Sequence, residues 1–158
     1  MADLIRRIHS GDPAAFAEVL ASEQDDVYTL CLRCLGPADA EAVCETVFVA
    51  AHQELNRVAV DTDLRTFLMK LTVAHIESHP PGGADNLDSL HDRSATTQGL
   101  LAGLELPFRL AVVMRDILRM SEAHIADVLD LSLGTTRSRI HRGRLTMARG
   151  LSPNLDRV

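Results

Sequence analysis

The chain has 158 residues, of which 46% are hydrophobic but only 3% aromatic, a composition that favours helices packed through aliphatic stripes over a β-sandwich. It contains neither a run of about 18 apolar residues nor an apolar segment of signal-peptide type, so we expect a cytoplasmic protein without membrane insertion. The net charge of −6 is unevenly distributed: residues 1–104 hold 7 Lys and Arg against 16 Asp and Glu, whereas residues 105–158 hold 9 Arg against 6 Asp and Glu. This division indicates an acidic part that meets a protein and a basic part with the charge sign needed to approach phosphates.

The first half of the chain has helical periodicity throughout. A short helix is predicted from about Asp3 to His9, and Asp12-Pro13 then supplies a cap and a first-turn proline for a second helix, which Gly36-Pro37 ends. Asp39 can cap a third helix, and a fourth runs from about Asp63 to Ser78. Four helices with complementary apolar stripes predict a compact bundle.

The helical pattern fails after His79. Pro80-Pro81-Gly82-Gly83 cannot continue a helix, and a helical pattern returns only near Leu100. A gap of about twenty residues is long for a loop within one domain. We therefore predict an all-α protein of two small helical domains, a bundle over residues 1–79 and a second domain over 100–158, joined by a flexible linker over 80–99.

The stretch from Leu106 to Leu151 has the order of elements of a helix-turn-helix. An apolar helix ends near Leu118, a short helix opens with Ser121 as its cap, and Ser132 can cap a last helix that starts at Gly134. In such motifs the start of the second helix enters the DNA major groove.

The first turns of that last helix carry the candidate DNA contacts. Arginine suits a bidentate contact with guanine, and hydroxyl groups suit phosphates or bases. The alternative interpretation is a solvated basic helix face, and the complete helix-turn-helix pattern favours DNA contact. The candidate residues are Thr135, Arg137, Ser138, Arg139, His141 and Arg142.

The motifs of the second half resemble those of the promoter-reading domain of the bacterial extracytoplasmic-function (ECF) sigma factors. The sequence has Leu106-Pro107, then Ser121…Ile125-Ala126…Leu129, then Gly134-Thr135…Ser138-Arg139…His141-Arg142…Arg144. The first half is similar, more loosely, to the polymerase-binding domain of that family, with Gly11-Asp12-Pro13-Ala14-Ala15-Phe16, Leu35-Gly36…Asp39-Ala40-Glu41, Val47-Phe48 and Leu64-Arg65…Phe67-Leu68 in order.

This resemblance implies an alternative sigma factor that directs RNA polymerase to specific promoters. Its implied partners are core RNA polymerase, promoter DNA and an anti-sigma factor. The polymerase contact would lie on the third helix, at Asp39, Glu41, Glu45 and Phe48, although acids at the start of a helix are equally well explained by the helix dipole. No phosphate loop, Ser-His-Asp arrangement or carboxylate pair stands out, so we expect neither an enzyme nor a cofactor.

The segment after Phe67 departs from the family, which carries basic and aromatic residues there to hold unstacked DNA. Residues 69–81 contain one fixed positive charge, Lys70, and no aromatic residue. This depletion motivates an alternative: a sigma-like decoy or adaptor that binds an anti-sigma factor or another regulator. A stand-alone helix-turn-helix regulator is a third hypothesis, which predicts a homodimer and a palindromic site.

Three single positions also depart from the family pattern. Asp130 stands where the family often has glycine, a residue better suited to a left-handed turn. His124 stands where an acid would complete a capping box after Ser121, and His52 stands where tryptophan is common.

The cysteines form one Cys-x-x-Cys, Cys31 and Cys34, with Cys44 further on. On a helix the first two share a face, and with a fourth ligand they could bind zinc or sense oxidants. Both lie on the apolar stripe, and no second pair completes a site. The pattern therefore favours core packing and predicts no metal site.

Overall fold

A computed structural model of the protein describes residues 2–79 and 97–151. Within these residues the chain is all-α, as predicted, and none of the helices is long and apolar enough to cross a membrane. The helices are α1 (Ala2–His9), α2 (Pro13–Leu35), α3 (Pro37–Glu54), α4 (Leu64–Ser78), α5 (Thr97–Ala102), α6 (Leu106–Val112), α7 (Glu122–Val128) and α8 (Leu133–Leu151). A π-helical turn over Val113–Ile117 continues α6. The predicted linker lies outside the described residues except for 97–99, which form the start of α5.

A side-chain cap and a first-turn proline start α2. Asp12 accepts a hydrogen bond from the backbone N–H of Ala14 at 2.9 Å, and Pro13 occupies the first turn of α2, as predicted. The prediction that Asp39 caps α3 is wrong. That helix begins at Pro37, whose fixed φ suits a first helical position, and Asp39 lies within its first turn.

Helices α2, α3 and α4 pack against one another through their apolar stripes, with α1 against α2. His52, at the position where the family favours tryptophan, meets the ring of Phe16 edge-on at a centroid distance of 4.7 Å. The imidazole therefore covers the aromatic ring at the edge of the bundle.

The two halves of the chain pack directly on each other, with α2 against α5 and α6 and with α4 against α7. Their buried apolar side chains form one continuous cluster. Arg109 joins the halves: its Nη1 donates to the carbonyl of Cys34 near the end of α2, and its Nη2 donates to the carbonyls of Ala102 and Leu104 at 2.9 and 2.7 Å. A cation suits the carbonyl-rich ends of helices.

A second set of polar contacts joins α4 to the helix-turn-helix. Thr66 Oγ1 lies 2.7 Å from His124 Nε2, and Lys70 Nζ lies 2.9 Å from Asp130 Oδ1 and 3.8 Å from Asp127 Oδ1. Asp130 has a φ of 51°, the left-handed conformation in which the family often places glycine. The aspartate at this turn thus supplies a carboxylate to the contact between the halves.

Candidate nucleic-acid interface

Both helices of the helix-turn-helix begin with a serine cap, as predicted. The backbone N–H of His124 donates to Ser121 Oγ, and that of Thr135 donates to Ser132 Oγ, each at 3.1 Å. These bonds satisfy amide groups that have no partner within the first turn of a helix. Helix α8 starts at Leu133, one residue before the predicted start.

One side of α8 packs against α6 and α7. Thr136, Ile140 and Gly143 are buried. Leu133, three residues before Thr136 on the same face, is 39% exposed, because it stands in the first turn, beyond the end of the packed stripe. A Cβ added at Gly143 would lie 2.5 Å from Val112 Cγ2 and 3.4 Å from a backbone oxygen of α6. The absence of a side chain at 143 therefore lets α6 and α8 approach closely.

The residues predicted to contact DNA lie in the first three turns of α8, outside its packed stripe. Five of them are exposed and Arg139 is partly buried. The exposed five are Thr135, Arg137, Ser138, His141 and Arg142. The start of α8 therefore presents hydroxyl, imidazole and guanidinium groups together to solvent.

Two of the arginines on α8 pair with carboxylates of the preceding elements. Arg137 Nε donates to Glu122 Oε2 at 2.7 Å, and this hydrogen bond holds the pKa of the Glu122 carboxyl below its usual value. Arg144 makes a two-point contact with Asp116, with Nε 3.0 Å from Oδ2. Within the described residues, Arg139 and Arg142 form no ion pair.

The acidic residues predicted to contact polymerase lie along α3. Asp39 is partly buried, and its Oδ1 lies 3.5 Å from His79 Nε2. Glu41 and Glu45 are exposed and line a groove of about 610 Å³ between α2 and α3. Phe48 is only 8% exposed, so its ring lines this groove from the core side.

Other residues that line this groove were not predicted from the sequence. Tyr28 on α2 and Val49 on α3 line it and are 41% and 60% exposed. The signal available in the sequence was Val49, an apolar residue that follows Val47 and Phe48 but lies outside the packed stripe of α3. A large apolar residue at such a position marks a contact surface more often when other apolar residues adjoin it. The groove combines an apolar floor with an acidic rim.

The depleted segment after Phe67 is covered in part by the second half. Lys70 is engaged by Asp127 and Asp130 of the helix-turn-helix, and Thr66, one turn before it on α4, contacts His124. This face of α4 therefore contacts the second half of the protein. We call this arrangement, in which the two halves pack on each other, the closed chain. Residues 80 and 81 of that segment lie outside the described residues.

The cysteines pack as predicted, with Cys31 and Cys34 buried. Burial raises the pKa of each of these two thiols to about 12, which keeps them protonated and unreactive at neutral pH. Within residues 2–79 and 97–151, no group of three or more His, Cys, Asp or Glu side chains could hold a metal ion.

The described residues form an all-helical fold whose second half contains a helix-turn-helix with an exposed basic last helix, an arrangement of a class that includes the sigma factors. Residues 98–147 match the family described as "Sigma-70, region 4". The chain is 25% identical to the ECF RNA polymerase sigma factor SigW of Bacillus subtilis, over 93% of this chain and 94% of SigW. It is 23% identical to the ECF RNA polymerase sigma-E factor of Escherichia coli, over 98% and 95% of the two chains.

Two solved structures share the fold. CnrH, solved in complex with the cytosolic domain of CnrY, superposes with a TM-score of 0.79 at 24% identity, over 97% of both chains. The sigma factor RpoE of Bartonella quintana, solved in complex with the anti-sigma factor NepR, superposes with a TM-score of 0.70 at 14% identity, over 88% of this chain and 98% of RpoE. The protein thus carries a sigma-70 region 4 domain and is a homologue of the ECF sigma factors along nearly its whole length.

Proposed function

We propose that this protein is an alternative sigma factor that directs RNA polymerase to a small set of promoters from the cytoplasm, without chemistry of its own. The observation that carries the proposal is the exposed basic start of α8 within the region 4 match. Helix α8 would enter the major groove of the −35 element, with Arg137 and Arg142 reading bases. The bundle over residues 1–79 would dock on core polymerase near the −10 element.

The groove between α2 and α3 supports the docking part of the proposal. Its apolar floor and the carboxylates of Glu41 and Glu45 suit an amphipathic helix with basic flanks. The clamp helices of the largest polymerase subunit would supply such a surface, as the family resemblance implies. Glu41 and Glu45 would then form the charged contacts, and Phe48 would contribute to the floor.

We further propose that an anti-sigma factor controls the protein. The fold matches that of CnrH, solved with the cytosolic domain of CnrY, and that of the sigma factor RpoE, solved with the anti-sigma factor NepR. In the closed chain α4 and α7 already cover each other, so a partner that stabilises this arrangement would keep the promoter-facing surfaces of α4 occupied.

A sigma-like decoy is the second candidate function. It is favoured by Lys70, the one Lys or Arg between residues 69 and 79, and by the lack of an aromatic residue after Phe67 in this segment. Such a protein would bind its regulator and fail to open promoters, because holding single-stranded DNA needs aromatic platforms and positive charge.

The docking proposal is tested by the binding of the full chain to purified core RNA polymerase. Replacing both Glu41 and Glu45 with lysine should weaken binding at least tenfold, since repulsion replaces attraction at the rim of the groove. Glu54→Lys, a single charge reversal, is the control, because Glu54 is exposed at the other end of α3 and does not line the groove. Equal binding by the double variant and the control would reject this docking site.

A further inference from the structure

We propose that Glu122 is a positioning residue for base recognition: it holds Arg137 so that the two terminal nitrogens of the guanidinium face the DNA. The inference rests on the proposed DNA-reading role of α8 and deepens it, because it assigns a specificity role to a residue of α7.

The geometry of the pair divides the guanidinium into an occupied and a free part. Glu122 opens α7, and Arg137 lies in the second turn of α8. Glu122 Oε2 accepts from Nε at 2.7 Å. Neither Nη1 nor Nη2 of Arg137 forms a hydrogen bond within the described residues, and the arginine side chain remains 62% exposed against 33% for Glu122.

The free part has the shape that guanine recognition requires. Arginine presents its donors in a rigid planar fork. When Nε is taken by a carboxylate, the N–H groups on Nη1 and Nη2 remain as a parallel pair that fits guanine O6 and N7. A side chain already held in this orientation loses less conformational freedom on binding than a free arginine does.

Neighbouring arginines compensate the negative charge of Glu122, which would otherwise repel the DNA phosphates. The hydrogen bond from Arg137 lowers the pKa of its carboxyl, with smaller contributions from the positive charges of Arg115 and Arg144. An ion pair this exposed contributes little to folding stability. We therefore expect the removal of this ion pair to change DNA recognition more than folding stability.

The chain offers a matched control in the pair Arg144–Asp116. It also joins an arginine of α8 to a carboxylate of a preceding element, and it lies seven residues, or about two turns, further along. Asp116→Asn removes one acid of the same charge without touching Arg137.

The test is selection of preferred sequences from a random duplex DNA library by the full-length protein, followed by binding assays on single-base variants of the preferred site. Arg137→Ala should erase the preference for guanine at one position, a loss of about 5- to 150-fold for a bidentate contact. Glu122→Gln should reduce the preference at that same position by about threefold or more and leave non-specific binding equal or tighter. Asp116→Asn should leave the preference at that position unchanged.

Three outcomes separate this inference from its rivals. If Glu122→Gln keeps every base preference and tightens binding to all duplexes alike, Glu122 is only a competitor of phosphate and the positioning role is rejected. If Asp116→Asn flattens the same position equally, the effect is general charge and the role is again rejected. If the wild-type chain selects no sequence at all, the proposed DNA-reading function of α8 is rejected. This result differs from a positioning defect, which would appear only in the Glu122 variant.

Discussion

Lys70 on α4 and Asp130 in the turn before α8 lie 2.9 Å apart, across the boundary between the two halves of the chain. Asp127 adds a second carboxylate at 3.8 Å. Asp130 holds a left-handed backbone conformation with a φ of 51°. A position that favours glycine thus carries a carboxylate for a long-range ion pair, which joins α4 to the helix-turn-helix.

We predict that the chain opens when it occupies a promoter with polymerase. The −10 and −35 elements lie about 25 base pairs apart, which is about 85 Å along the helix axis at about 3.4 Å per base pair. A compact chain of this length has a radius of gyration of about 15 Å and cannot reach both elements while closed. Energy transfer between labels at positions 54 and 149 should therefore decrease when core polymerase and promoter are added together.

Added salt provides the control for this opening. Added salt weakens exposed ion pairs, but the apolar cluster shared by the halves remains, so 0.5 M salt alone should leave the free chain closed. An unchanged distance in the transcription-competent complex would contradict the prediction.

Close packing at Gly143 gives a second prediction. Gly143→Ala should lower the free energy of unfolding by about 1–3 kcal/mol, because its Cβ would meet Val112 Cγ2 at 2.5 Å. At Gly134 the nearest atom to an added Cβ lies 4.0 Å away, so Gly134→Ala should be neutral or stabilise by up to about 1 kcal/mol. Urea denaturation of both variants measures the difference, and equal effects would show that α6 and α8 are not in such close contact.

The third prediction concerns Arg109. Arg109→Met should destabilise the protein by about 2–3 kcal/mol, because it leaves the carbonyls of Cys34, Ala102 and Leu104 without their charged donor. Arg142→Ala, which removes an exposed arginine without an ion pair in the described part of the chain, should change stability by less than about 0.5 kcal/mol. Chemical denaturation distinguishes the two, and a loss below about 1 kcal/mol for Arg109→Met would mean that the bridge between the halves contributes little.

The buried thiols predict a loss of stability at alkaline pH. Burial raises the pKa of Cys31 and Cys34 from an ordinary value of 9.0 to about 12. The unfolded chain therefore releases these protons between pH 9 and 12 while the folded chain retains them, and stability falls as the pH rises through that range. A Cys31→Ala/Cys34→Ala variant, although less stable at pH 7, should show a shallower decline from pH 8 to 10.5. Equal slopes for the two proteins would contradict the assignment.

The elements that depend on local chemistry could be predicted from the sequence. Asp12, Ser121 and Ser132 cap the helices assigned to them, because a cap bonds amides only two or three residues away. Asp39 was misassigned as a cap because Pro37, a stronger first-turn residue, starts α3 two residues earlier.

The contacts between the halves could not be predicted in this way. His124 stood out in the sequence as a missing capping acid, yet its ring meets Thr66, 58 positions away. Arg109 lies two residues after the Leu106-Pro107 motif, but nothing local pointed to the carbonyl of Cys34. The groove beside α3 likewise depends on how α2 packs, which places Tyr28 next to Val49. Long-range pairing of this kind follows from the tertiary fold and not from periodicity.

Transcription in vitro with purified core RNA polymerase, the full-length protein and a library of genomic promoter fragments tests the central claim most directly. We predict discrete transcripts from a small set of promoters, and their loss when Arg137 and Arg142 are both replaced by alanine in a chain that remains folded. A folded wild-type protein that yields no specific transcript would contradict the sigma-factor assignment and favour the decoy.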